Sequence, residues 1–216
     1  MAVFYRYQDA GLDDWERNKN HVQMGFRPGF AVQARELTQM QTILQAQITA
    51  LARRFMKNGS IVDANLTVNG PVGGGSGNWS VVLGSGYVYC EPDMREVGYF
   101  VRNNSSVSLS AIPIETGTRT NVYFRFQEKQ INGEGNSFPA QGGYAEVDID
   151  SSILDNAQGY ANASAPGASR YQINIIGLGY YRPDLGEEKP VYSADMIYFE
   201  NGIPRYSDSG DSVPFN

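Results

Sequence analysis

The stretch AVQARELTQMQTILQAQITALARRFMKN, residues 31–58, decides how the rest of the chain is organised. It holds no Gly or Pro and is rich in Ala, Leu, Gln, Arg and Met, which lose little conformational freedom in a helix. Its apolar positions Leu37, Met40, Leu44, Ile48, Leu51 and Phe55 are three and four residues apart, so they share one side of a helix. Arg53, Arg54 and Lys57 crowd its end, where cations complement the helix dipole, and Asn58-Gly59 follows as a left-handed stop. The spacing predicts one continuous helix over 31–58, a rod of roughly 40 Å at the helical rise. Leu37, Leu44 and Leu51 stand in heptad register, but their companions three residues on are Met40, Gln47 and Arg54, two of them polar. The stripe drifts towards Ile48 and Phe55, nearer a 3.6- than a 3.5-residue period. Self-association and packing on a sheet explain this pattern equally well, and both stay open at the level of sequence.

Beyond Ser60 the period changes to two. In IVDANLTVN, residues Val62, Ala64, Leu66 and Val68 alternate with Asp63, Asn65 and Thr67. SVSLSA sets Val107, Leu109 and Ala111 against serines, and NVYFRF sets Val122, Phe124 and Phe126 against Tyr123 and Arg125. AEVDID gives Ala145, Val147 and Ile149, and RYQINII gives Tyr171, Ile173 and Ile175. With WSVVL, GYVYC, GYFVR and MIYFENG, about nine short strands follow at turn-like spacing, the pattern of an antiparallel sandwich or barrel. One polar face per strand suits antiparallel sheets better than buried parallel ones. The expected class is α+β: one long N-terminal helix, a mainly antiparallel β sandwich or barrel-like body, and extended terminal arms.

Four segments follow from this. Residues 1–30 form an arm carrying Phe4, Tyr5, Tyr7 and Trp15 without sustained periodicity, closed by the Arg27–Gly29 turn signal. Rigid rings supply contact area at low entropic cost, so the arm either docks on another molecule or wraps its own core. The helix occupies 31–58 and the β-rich domain 59–204, leaving a polar tail over 205–216. Within the β region, NGPVGGGSGN at 69–78 and SSILDNAQGYANASAPGAS at 151–169 break the strand pattern as long loops.

Composition narrows the function. The chain is 41% hydrophobic and 19% charged, which supports a genuine core and argues against wholesale disorder. Seventeen Lys and Arg against 23 Asp and Glu leave a charge of −6 with no basic cluster, a poor basis for gripping phosphates. No run approaches the ~18–20 apolar residues of a membrane span. The opening MAVFYRYQDAGLDD lacks the layout of a secretory leader, so folding in the cytosol where the chain is made is expected.

Catalytic chemistry finds little support. Gly70–Gly77 leads into Asn78, Trp79 and a strand, where a phosphate loop needs a Gly-Lys-Ser/Thr end opening a helix. His21 is the sole histidine and lies in the arm, so no relay has an oriented base. One His and the single Cys90 cannot assemble a zinc site, and Cys90, in the strand-like GYVYC, reads as a small buried hydrophobe. Asp148, Asp150, Ser152 and Asp155 resemble the start of a calcium loop without its glycine and closing glutamate. No catalytic residue, metal or cofactor is expected. A carbohydrate-binding or polysaccharide-degrading module is the alternative, since loop Tyr and Trp could stack on sugars.

Phe26 to Ile48, FRPGFAVQARELTQMQTILQAQI, closely resembles the opening signature of a phage tail family, a domain of unknown function at the N-termini of baseplate and tail-fibre proteins. A second block, LDNAQGYANASAPGASRYQI from Leu154 to Ile173, looks like the later signature of the same family, and FMKNGSIVDANLTV fits between them. The likeness spans residues ~20–180 in the same order. The resemblance implies a virion location after synthesis in the host cytoplasm, self-association, commonly as a homotrimer, and contact with other tail, baseplate or fibre proteins. It implies no catalysis and no cofactor, and the charge and the short apolar runs noted above add the expectation of no nucleic-acid or membrane partner. On it the helix stripe becomes an association face and the arm a docking element. Many such proteins continue into a fibre shaft or receptor-binding tip, whereas this sequence ends at Asn216, so an anchor or adaptor is expected.

Overall fold

The structure is a computed structural model that describes residues 15–71, 76–91, 97–131 and 170–207. A single 3-10 turn at Arg17–Lys19 precedes an extended stretch, which leads into the helix α1, Ala34–Ala52. Among the described residues nine strands follow: β1 Leu66–Asn69, β2 Gly77–Leu83, β3 Gly86–Cys90, β4 Tyr99–Asn103, β5 Val107–Ile114, β6 Arg119–Ile131, β7 Arg170–Tyr181, β8 Ser193–Glu200 and β9 Ile203–Tyr206. The α+β class is therefore as expected.

The helix is shorter than its sequence predicts. It has 19 residues, so it is about 28 Å long rather than ~40 Å. At its start, Gln33 is extended and its N–H donates to Glu36 Oε2 at 2.8 Å, fixing the first turn three residues later than expected. At its end, Arg54 N–H bonds Leu51 O and Phe55 N–H bonds Ala52 O, the tighter 3-10 pattern. Arg53 and Asn58 both reach Glu91, and these tertiary anchors draw the chain off the helical path. Arg53, Arg54 and Lys57 consequently lie past the last helical turn and not within it. Gly59 does adopt a left-handed φ of 103°, but seven residues beyond the helix. Its necessity is steric: a Cβ there would stand 1.9 Å from the carbonyl oxygen of Asp195 in β8.

Among the described residues all strand pairs are antiparallel, in three sheets ordered β1-β2-β5, β3-β4 and β7-β6-β8-β9. They do not close into a barrel. They share one apolar core that includes Val81 and Leu83 of β2, Ile112 of β5, Phe124 of β6 and Phe199 of β8, with the Trp79 and Phe199 rings 5.0 Å apart. Of the alternation read in NVYFRF, Val122, Phe124 and Phe126 are inward and Arg125 outward, but Tyr123, expected opposite them, is buried too, where β6 shifts register against β8. In β5 it breaks at Ala111, which is exposed with φ 58°. Val81 pairs with Leu109 and Trp79 with Ile112, so two residues of β5 oppose Ser80 alone. This bulge turns Ile112 and Ile114 inward in place of Ala111.

Two further boundaries move. Of IVDANLTVN only Leu66–Asn69 is strand, while Ile61 makes an isolated bridge to Val88. At the other end β9 takes in Arg205 and Tyr206, expected in the polar tail. It is reached through Asn201-Gly202, both with positive φ, as a tight hairpin turn demands. The strand expected over 145–150 and the long loop over 151–169, with most of the second signature block, lie outside the described residues.

Candidate interaction surface

The helix α1 turns a mixed side inward and leaves most of its apolar stripe exposed. The side turned inward carries Gln39, Ile43, Thr49 and Ala52, all buried. Polar contacts hold that side in place. Thr49 Oγ1 accepts the Gly98 N–H at 2.8 Å and donates to the Gln45 carbonyl at 2.8 Å. Gln45 Nε2 donates to the Gly98 carbonyl. Just past the helix, Arg53 forms a two-pronged pair with Glu91, at 2.9 Å from Nε and 2.7 Å from Nη2. Tyr89 donates its hydroxyl to the same carboxylate at 2.8 Å, and Asn58 Oδ1 accepts the Glu91 N–H at 2.9 Å. Burial first, and then the Glu91 carboxylate, pushes the Tyr89 phenol well above its ordinary range.

The opposite side carries the apolar residues. Leu37, Leu44, Ile48, Leu51 and Phe55 are between 46% and 78% exposed, and only Met40 of the expected stripe is half-buried. Nine of the 16 exposed large hydrophobics among the described residues fall between Val22 and Phe55. Single exposed leucines are ordinary on a surface, but a row along one helix face is the mark of a contact surface. Each such side chain, if covered, would contribute on the order of 1 kcal/mol, half the value for full burial.

The extended stretch before the helix adds to this surface. Val22, Phe26, Phe30 and Val32 are exposed. The Arg27 guanidinium stands 4.8 Å over the Phe30 ring, and Phe30 N–H closes a turn onto Arg27 O with Gly29 at φ 83°. Gln47 Nε2 donates to the Val22 carbonyl at 2.9 Å, and Gln39 Nε2 lies 3.3 Å from His21 Nδ1, so two of the helix's glutamines hold the stretch beside it. Of the four aromatic residues assigned to docking, Phe4, Tyr5 and Tyr7 lie outside the described residues. Trp15 is 7% exposed, so its own chain already covers it and it presents no face for a partner.

Comparison with known proteins adds no relative. No family model, no curated protein and no solved structure matches the chain. The site is therefore built from its own chemistry.

One polar constellation lies apart from the helix and was not anticipated. The Tyr181 hydroxyl accepts from Asn121 Nδ2 at 2.9 Å and donates to Asp195 Oδ2 at 3.1 Å. Lys189 Nζ stands 3.7 Å from the same oxygen, Arg119 Nε donates to Asn121 Oδ1 at 3.0 Å, and the Arg119 guanidinium covers the Tyr198 ring at 4.0 Å. Burial, then Asp195, raises the Tyr181 pKa. Most of these donors and acceptors are spent on one another across the register Asn121↔Tyr181 and Asn121↔Tyr198, so the network serves to pin β6, β7 and β8 together. Only pair-level cross-strand reasoning could have found it, and that needs the register. Cys90 is buried in β3, as its sequence context indicates. Among the described residues no group of three His, Cys, Asp or Glu side chains could hold a metal, and no helix is long and apolar enough to cross a membrane.

Proposed function

We propose that the chain is a non-enzymatic structural subunit of a bacteriophage tail, an anchor or adaptor at the baseplate or tail-fibre base. In this reading it is made in the host cytoplasm and works in the virion. It self-associates, as a homotrimer on the resemblance drawn above, and joins other tail components through the arm. We also read the body as a sandwich whose larger sheets face each other across Trp79 and Phe199. The observation that carries the proposal is the orientation of α1, which turns a mixed side of Gln39, Ile43, Thr49 and Ala52 inward and leaves Leu37, Leu44, Ile48 and Leu51 outward. A lone catalytic or sugar-binding domain has no use for that arrangement, whereas an assembly subunit needs a covered apolar seam.

The test is incorporation. A tagged chain produced during phage infection should co-purify with intact tails. A variant lacking residues 1–14, cut short of the packed Trp15, should keep its β-type circular dichroism and be absent from them. Recovery of the full chain only as free protein, or normal incorporation of the truncated one, contradicts the proposal. Turnover of host polysaccharide by the isolated protein would replace it with the enzymatic alternative.

A further inference from the structure

Among the described residues, the apolar core shared by the sheets draws on no residue before Ile61, and so on none of α1. Ile43 and Ala52 are buried on the inward side of the helix, outside that core. No strand backbone among the described residues runs close alongside α1. Polar ties between helix and body gather instead at two residues. Gln45 and Thr49 bond to Gly98, beside the start of β4, while Arg53 and Asn58 bond to Glu91, beside the end of β3. The stretch before α1 is tied to the helix itself, through Gln47 to Val22 and Gln39 to His21. From Gly59 onward the chain belongs to the body: Gly59 N–H donates to Tyr89 O, Tyr89 N–H to Ser60 O and Val62 N–H to Tyr87 O.

We infer that α1 lifts from the body as one rigid unit, carrying the stretch from His21 with it, pivoting between Arg53 and Asn58, and that Glu91 is the catch that holds it down. An element seated in a shared core leaves only when that core dissolves, whereas one outside it opens at a lower free energy, as a unit of its own. The helix is of the second kind. Its exit shows where it turns: the last turn tightens into 3-10 bonds at Arg54 and Phe55, and the chain is fixed again at Gly59. Glu91 holds both ends of this pivot. Its carboxylate accepts from Arg53 Nε and Nη2 and from the Tyr89 hydroxyl, a charged fork that is stronger than neutral bonds. Its backbone N–H donates to Asn58 Oδ1, and its carbonyl accepts from Asn58 Nδ2. Releasing Glu91 therefore frees the pivot along its whole length and leaves the Gly98 bonds to Gln45 and Thr49 to be broken. The device lies within one chain and is independent of what meets the outward face of the helix.

Thiol labelling of the full-length protein tests this, with native Cys90 as the internal control because it is buried in the shared core. Ile43→Cys and Ala52→Cys, made separately, each put a second thiol on the inward side of α1. The added thiol should react with a maleimide many times faster than Cys90, and at closely similar rates in the two chains. Arg53→Ala or Glu91→Gln, introduced into either chain, should speed the added thiol several-fold, up to about tenfold for loss of a charged hydrogen bond, and leave Cys90 unchanged. Arg53→Ala keeps Glu91 in place beside β3, so it decides the matter if Glu91→Gln also disturbs Cys90. Added thiols that react no faster than Cys90 show that the helix leaves only with the core, and overturn the inference. A fast thiol in Ala52→Cys with a slow one in Ile43→Cys is fraying of the last turn and overturns the rigid unit. Equal acceleration of Cys90 by Arg53→Ala, or no acceleration of either added thiol, removes Glu91 as the catch.

Discussion

Thr49 joins the helix to the body through one buried hydroxyl, which accepts the Gly98 N–H while donating to the Gln45 carbonyl of its own helix. Thr49→Val keeps the shape and strands the Gly98 N–H. It should cost about 1–3 kcal/mol of unfolding free energy, while Thr49→Ser costs clearly less; chemical denaturation of the two variants checks the order. Tyr89 gives a second handle. Its folded-state pKa lies above the unfolded value of about 10, so the neutral phenol contributes stability that is present in full below that pH and lost as pH rises through the folded value. The melting temperature should therefore fall above pH ~10, and fall less in Tyr89→Phe. Equal alkaline slopes in the two proteins would remove Tyr89 from the account.

At the scale of elements, the helix exit and the strands beneath it set each other's positions. Gly59 lies against the backbone of Asp195, so Gly59→Ala must push the exit segment off β8. Overpacking of this kind costs typically about 1–3 kcal/mol, and the positive φ adds about 1 more. A melting temperature unchanged in Gly59→Ala would show that the exit is not seated there. The elements differ in how far the sequence reveals them. The strands were legible where the inward positions are large and apolar, as in Val122, Phe124 and Phe126, even though β6 shifts register there against both β7 and β8. They were misread where a bulge resets the alternation, as at Ala111, because a bulge is a property of the pair β2–β5 and not of either strand alone. The helix ends were misplaced for the same reason, since Glu91, 33 residues beyond Asn58, dictates where the chain leaves the helix. Of the apolar stripe, Leu37, Leu44, Ile48 and Leu51 do share one exposed face of the helix, whereas Met40 is half-buried and Phe55 lies past the helix end. Which side of the helix faces the body was not legible, because Thr49 and Gln45 become inward-facing only once Gly98 is folded beside them.

For the whole molecule, the described strands share one apolar core bounded by antiparallel sheets, and the helix leaves Leu37, Leu44, Ile48 and Leu51 exposed. An exposed hydrophobic row costs the isolated chain free energy, which the association proposed above would return. Everything proposed for the tail depends on that exchange, so mass in solution is its most direct measure. Light scattering of the unsubstituted protein should give a multiple of the 23.8 kDa chain. Leu44→Asp should reduce it to one chain with the β-type circular dichroism unchanged. A single-chain mass before substitution, or an assembly that Leu44→Asp leaves intact, would contradict the account.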